Sequence, residues 1–144
     1  NSALPALRKA LLNHSSVTVR RAAAKTIKLI GDPNALPDLL CALINDDDPV
    51  VQGSAVGAMA IFGEKAVHHL LQVLVDPKST AMQCGLATWG LSFIGAEAPK
   101  ALRKAAKSNN SKMNNEKINF KNQKFKKKKE ILLLMKTEPK AFST

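Results

Sequence analysis

Three glycines, Gly31, Gly63 and Gly95, stand 32 residues apart, and each follows a helix-like stretch: TIKLIG, AMAIFG and LSFIG. The same interval superposes Leu7, Leu39 and Leu71, then Leu11, Leu43 and Val75. It also superposes Ala23, Ala55 and Ala87, then Ile27, Met59 and Leu91. A unit this short cannot bury its own apolar face, so repetition at this period dictates helical hairpins stacked on one another. Arrays of this kind work mostly as binding surfaces. The first question is therefore what the chain holds.

Within each period the apolar residues recur three and four apart, the spacing of helices buried on one side. The first hairpin pairs Leu4–Leu12 with Val17–Ile30, with Ser16 as N-cap and Gly31-Asp32-Pro33 as stop signal. The second pairs Ala35–Ile44 with Pro49–Phe62, and Asp48 before Pro49 is a capping carboxylate ahead of a first-turn proline. The third pairs Lys65–Val75 with Ala81–Ile94. A fourth begins with APKALRKAA and then gives way to SNNSKMNNEKINFKNQKFKKKKE, which has too few apolar residues to offset its ordering entropy. The expected organisation is a repeat domain over 1–107 and a Lys/Asn-rich, disordered tail over 108–144, with a short helical turn at Ile131–Met135. An array interrupted there leaves Leu91, Ile94 and Leu102 as an exposed apolar face. Entry straight into LPALRKALL, with Asn at position 1, suggests a fragment or processed N-terminus that lacks an earlier capping segment.

Charge is divided unevenly. Asn1 to Lys107 holds 12 basic and 8 acidic residues, whereas Ser108 to Thr144 holds 10 Lys against 3 Glu. The run Lys126–Lys129 attracts phosphate without reading sequence, and only Phe120 and Phe125 are interleaved with the lysines. Such a tail is ordinarily just solvated, so nucleic acid is not an expected partner. Cys41 and Cys84 have neither disulfide-framework nor metal-knuckle spacing, which points to a reducing, cytoplasmic setting. No signal peptide opens the chain, and Ile131–Met135 is far too short to span a bilayer. There is no Ser-His-Asp order, phosphate loop or paired-Cys spacing, so neither a hydrolase nor a nucleotide-using enzyme is expected. His68-His69 lacks a third ligand and reads as surface or half-buried imidazole; no metal site is expected.

The stretch VTVRRAAAKTIKLIGDPNALPDLL resembles a short HEAT repeat, with a Val-Arg pair opening the inner helix and Ile-Gly-Asp closing it. The fold this implies is all-α, a right-handed α-solenoid of HEAT-like helical hairpins with three repeats plus a partial fourth. The third repeat, with QCGLATWGLSFIGAEAPKAL, is similar to the E/F-type phycobilin lyase and chaperone subunits of cyanobacteria and red algae. The resemblance runs from about Ala3 to Ala106. It implies attachment of an open-chain tetrapyrrole, phycocyanobilin or phycoerythrobilin, to a cysteine of a phycobiliprotein subunit, or chaperoning of that acceptor. The bilin would be a substrate and not a permanently bound cofactor. A second lyase subunit would be a further partner. The acceptor's thiolate adds to the bilin's ethylidene group, so the lyase contributes mainly positioning.

In HEAT-like stacks the second helix of each pair lines the concave side. There the repeat aligns Lys25, Gly57 and Trp89, and one turn earlier Arg21, Gly53 and Gly85. Arg21 and Lys25 are candidates for the bilin propionates. A glycine inside a helix costs about 1 kcal/mol relative to alanine. Gly53 and Gly57 therefore mark either close helix packing or the floor of a shallow trough walled by Trp89. Alignment with Lys25 turns Trp89 outward. Cys84 aligns with Arg20 and Gln52 and reads as an inert thiol or as a transient bilin carrier. Cys41, among leucines, reads as packing. Arg20 is expected to bridge to a turn carboxylate between repeats, and Asp46-Asp47-Asp48 to form a solvated turn and N-cap or, as an acidic cluster at a rim, to meet pyrrole N–H groups. The alternative function is a non-catalytic protein–protein scaffold using the same concave face, including relatives that assist phycobilisome disassembly.

Overall fold

The 32-residue period resolves into paired helices whose ends lie where capping chemistry places them. A computed structural model describes the backbone of residues 3–97 and 99–115, and the side chains of these except at 101 and 109–115. The described residues form seven α-helices, one short 3-10 turn and no strand. They group into two compact units that divide between Phe62 and Gly63.

The first unit contains α1 (Leu4–Asn13), α2 (Val17–Ile30), a 3-10 turn at Pro33–Ala35, α3 (Leu36–Asn45) and α4 (Pro49–Ala60). Helix α1 packs on α2 and α3 on α4, and the two hairpins stack through α2 against α4 and α1 against α3. Leu11, Ile27, Leu39, Leu43 and Met59 are fully buried between them. Each such side chain contributes about 1.5–3 kcal/mol by leaving water. Ser16 caps α2 by accepting from the Val19 amide, and Gly31 ends it in the left-handed conformation (φ 71°). Asp48 caps α4 by accepting from the Val50 and Val51 amides, with Pro49 supplying the preset first turn. An ion pair between Arg8 and Asp38 ties α1 to α3.

The second unit contains α5 (Glu64–Val75), α6 (Ala81–Glu97) and α7 (Pro99–Asn115), each packed on the other two. Its core is Leu70, Leu71, Leu74, Leu91, Ile94 and Leu102. Helix α6 opens with a reciprocal cap: the Gln83 amide donates to Thr80 Oγ1 (3.1 Å) and the Thr80 amide donates to Gln83 Oε1 (2.8 Å). The buried Ser79 hydroxyl donates to the Val73 carbonyl (2.6 Å), fixing the turn between α5 and α6.

Three expectations change. Gly95 does not stop its helix: α6 continues through it to Glu97, and positive φ among described glycines occurs only at Gly31 and Gly63. No Asp-Pro follows Gly95, whereas the helix formers Ala96 and Glu97 do, so nothing diverts the chain there. Leu91, Ile94 and Leu102 are buried instead of exposed, because α7 packs on α5 and α6 and brings Leu102 into the same core. Helix α7 runs past Lys107 to Asn115, so helix replaces the expected disorder over 108–115. The helical turn expected at Ile131–Met135, with the rest of the tail, lies outside the described residues.

Candidate functional site

A helix buried on one side turns the opposite stripe to solvent, and the 32-residue repeat presents the same stripe on α2, α4 and α6. On α2 the stripe is Arg21, Lys25 and Leu29, all exposed. Leu29, in the last turn of α2, is 85% exposed, a high value for an aliphatic side chain. On α4, in contact with α2, the corresponding residues are Gly53 and Gly57, with Val50 one turn before and Ile61 at the C-cap. A Cβ built on Gly53 or Gly57 would meet nothing within 4 Å. The close-packing explanation for these two glycines therefore has no contact to support it. They leave a stretch of bare backbone between exposed Val50 and exposed Ile61, flanked on α2 by two cations.

In the second unit the same stripe reads Gly85, Trp89 and Phe93, with Met82 one turn before. Trp89 is 52% and Phe93 42% exposed. Their ring centroids lie 5.8 Å apart at an interplanar angle of 28°, a stacked pair standing at the surface. A Cβ on Gly85 would also meet nothing within 4 Å. Aromatic rings over an open backbone make a flat apolar platform, able to receive a planar conjugated molecule or an apolar protein side chain.

Cys84 does not share this surface. It is 3% exposed, on the buried side of α6, so it drops out as a bilin carrier. Cys41 is half-buried and its sulfur accepts from Asn45 Nδ2 (3.2 Å), a packing role. His68 and His69 meet edge to face at 5.9 Å, and His69 Nδ1 lies 3.2 Å from the Lys65 carbonyl. Among the described residues no group of three His, Cys, Asp or Glu stands together to hold a metal ion.

Arg20 points away from the stripe, to the turns at the helix starts. Its Nε donates to Asp46 Oδ2 (2.8 Å) and Nη2 to Oδ1 (3.3 Å), while Nη1 donates to the carbonyls of His14 (2.9 Å) and Ser15 (3.1 Å). This side-chain hydrogen bond to Asp46 holds the guanidinium pKa above its usual value; burial opposes the shift, and the charges of Asp46, Asp47 and Asp48 reinforce it. Asp46 in turn accepts from the Asp48 amide (2.9 Å), and its carbonyl accepts from Gln52 Nε2 (2.6 Å). A broad depression of about 550 Å³ opens here. Arg20, Asp46 and Asp48 already satisfy one another within it, so it is the hydrogen-bonded joint between repeats.

Sequence reasoning found Arg21, Lys25, Gly53, Gly57 and Trp89 on the outward stripe but missed Leu29, Ile61 and Phe93. The signal was present: each stands two residues before a junction glycine and four after Lys25, Gly57 or Trp89. It was hidden because Ile30, Phe62 and Ile94 follow directly, and two adjacent apolar residues do not reveal which one faces the core.

Residues 4–84 match the family model for HEAT repeats. The chain is 42% identical over 108 residues to the bilin biosynthesis protein MpeU of Synechococcus sp. (strain WH8020). The aligned region is 75% of this chain and 36% of that protein, so the chain spans about a third of the curated relative's length. The helical hairpins, their period and the matched model together make this chain a member of the HEAT-repeat family.

Proposed function

We propose that this chain is a phycobilin lyase-type or bilin-chaperoning subunit, which holds an open-chain tetrapyrrole against the exposed stripe of α6 in its second unit while a phycobiliprotein cysteine is modified. The observation that carries the reading is the exposed, stacked Trp89–Phe93 pair on a helix stripe otherwise kept bare by Gly85. A half-exposed Trp stacked on a half-exposed Phe forgoes burial that the core could provide, and a planar apolar ligand restores it. Similarity to a bilin biosynthesis protein supports the same chemistry. The first unit, taken by itself, offers a separate candidate surface: Arg21 and Lys25 are exposed cations of the kind that take propionates, and the backbone is left open at Gly53 and Gly57.

The chain's part in the reaction is positional. Thioether formation needs the acceptor thiolate within reach of the ethylidene carbon, and a held, extended bilin removes the competing conformers. Exposed Leu29 and Ile61, in the same register of the first unit, offer apolar contacts suited to the acceptor protein. The scaffold alternative uses that contact without the pigment.

Titration with phycocyanobilin and with phycoerythrobilin, followed by absorbance and by quenching of the lone Trp, tests the reading. The expected result is a shifted, sharpened visible band that saturates together with the quenching. A bilin spectrum unchanged by the protein, alongside retained binding of a phycobiliprotein subunit, would leave only the scaffold role.

A further inference from the structure

Within the first unit the acidic residues are all engaged, and a set of cations is left over. Asp38 pairs with Arg8 and Asp46 with Arg20, while Asp47 lies 3.6 Å from Arg20 Nη2. Asp32 accepts from the Asn34 amide (2.9 Å) and Asp48 from the Val50 amide (2.8 Å), and the unit has no other acidic residue. Arg21, Lys25 and Lys28 of α2 are exposed and have no ion-pair partner among the described residues. Spacings of four and three put them on one stripe, with neighbouring Cβ atoms about 5–6 Å apart. The exposed Leu29 continues that face. Helix α4 packs on α2 and carries no charged residue. Axes of packed helices stand about 8–10 Å apart, so the exposed side of α4 adjoins this cationic ridge. It offers Val50 and Ile61 at either end of a recess, where Gly53 and Gly57 leave the backbone open.

We infer that this surface of the first unit docks an amphipathic helix of a protein partner, one that carries acidic residues a turn apart beside an apolar seam. Three like charges within two turns of α2 repel one another, and carboxylates at the same spacing relieve that repulsion and fix the register. Leu29, Val50 and Ile61 gain burial against the seam, which supplies the affinity that exposed ion pairs lack. The bare backbone at Gly53 and Gly57 admits a ridge of side chains from the partner helix. From Arg21 to Leu29 the stripe rises about 12 Å, so two to three turns of a partner helix cover it. Nucleic acid would satisfy the cations but leaves the three aliphatic side chains without a partner, and the stripe has no aromatic ring on which a base could stack. An anionic bilayer presents a broad surface that does not enter a recess one side chain deep. The inference does not rest on the bilin reading, whose platform on α6 shares no residue with this surface. Arg21 and Lys25 would also serve propionates, but two propionates make no use of Lys28, Leu29 or Ile61, and a helix uses all three.

The test is fluorescence anisotropy of a labelled peptide of about twenty residues, long enough to hold a helix in water, titrated with the full chain. The peptide carries Glu at successive turns beside a leucine seam, and is made in both sequence directions because the stripe accepts a helix of either polarity. At least one of the two should bind, and a charge-reversed peptide with Lys for Glu should not. R21Q/K25Q/K28Q should weaken binding about threefold to a hundredfold at low salt, a difference that fades as salt rises. L29S/I61S should weaken it at least about tenfold at every salt concentration, while its phycocyanobilin titration matches the parent's. G53L fills the recess with a better helix former, so peptide affinity should fall at least about tenfold with no loss of thermal stability at 222 nm. Trp89→Ala should bind the peptide as the parent does, which keeps this result separate from the pigment platform. The inference is overturned if neither peptide binds, if the charge-reversed peptide binds equally, or if L29S/I61S or G53L binds as the parent does. It is overturned as well if L29S/I61S loses bilin as it loses peptide. Displacement of the peptide by a DNA duplex or by phosphatidylglycerol vesicles would assign the cations to phosphate instead and overturn it too.

Discussion

Gly53 and Gly57 separate the two ways of using a bare helix face, and replacing them with alanine gives opposite results under each. Both lie inside α4 with ordinary negative φ, so alanine fits the backbone without strain. Each added methyl would meet nothing within 4 Å. Alanine then recovers the helix-propensity penalty of glycine, about 0.5–1 kcal/mol at each position. The double variant G53A/G57A should gain about 1–2 kcal/mol, the sum of two helix-propensity terms, since neither added methyl makes a new contact. At about 4–8 °C per kcal/mol for a domain of this size, thermal unfolding followed at 222 nm should shift upward by roughly 4–16 °C. G57L continues the test toward function, at the first unit's candidate surface for propionates. Its side chain would project into the open stripe beside Lys25, leaving stability near that of the alanine variant while obstructing a flat ligand. Bilin titration of G57L should therefore show affinity reduced at least about tenfold, the scale of one displaced apolar contact of 1.4 kcal/mol or more. If G53A or G57A lowers stability, the glycines serve packing and the open-face argument fails. If G57L gains stability and binds bilin as the parent does, the face is open but is not where the pigment lies.

Further outcomes are expected. Trp89→Ala should weaken bilin binding about tenfold to a hundredfold, the sum of lost stacking and of roughly 50–70 Å² of apolar contact, while unfolding in urea changes little; a shifted midpoint with unchanged bilin affinity would return Trp89 to a structural role. Asp48→Ala removes the cap that serves both the Val50 and Val51 amides and should cost about 1 kcal/mol in urea denaturation, with Asp48→Asn recovering most of it. Leu102→Ala should cost about 2–5 kcal/mol and increase dye binding to exposed apolar surface, because Leu102 is the α7 side chain sealed into the second unit; a cost under 1 kcal/mol would mean that α7 does not close that core.

The sequence alone determined the helical pairs, the family, and those helix ends that a cap or a left-handed glycine marks, though not the ends of α6 and α7. These are local properties: a cap needs Ser16 or Asp48 beside the first amides, a left-handed stop needs Gly31, and a 32-residue period states that the same hairpin is built again. It also identified the outward register of Arg21, Lys25 and Trp89, since helical spacing carries that information. What it could not state was which of two adjacent apolar residues meets the core, and so Leu29 and Phe93 passed unnoticed. Nor could it tell that α7 would pack on the helix that carries Leu91 and Ile94. Helix formation over 108–115 follows a helix whose apolar face is already docked, whereas composition there argued for disorder. Burial of Cys84 and the open space over Gly53 and Gly57 were likewise decided by tertiary packing. Exposure is a property of what lies opposite a residue, and what lies opposite comes from elsewhere in the chain.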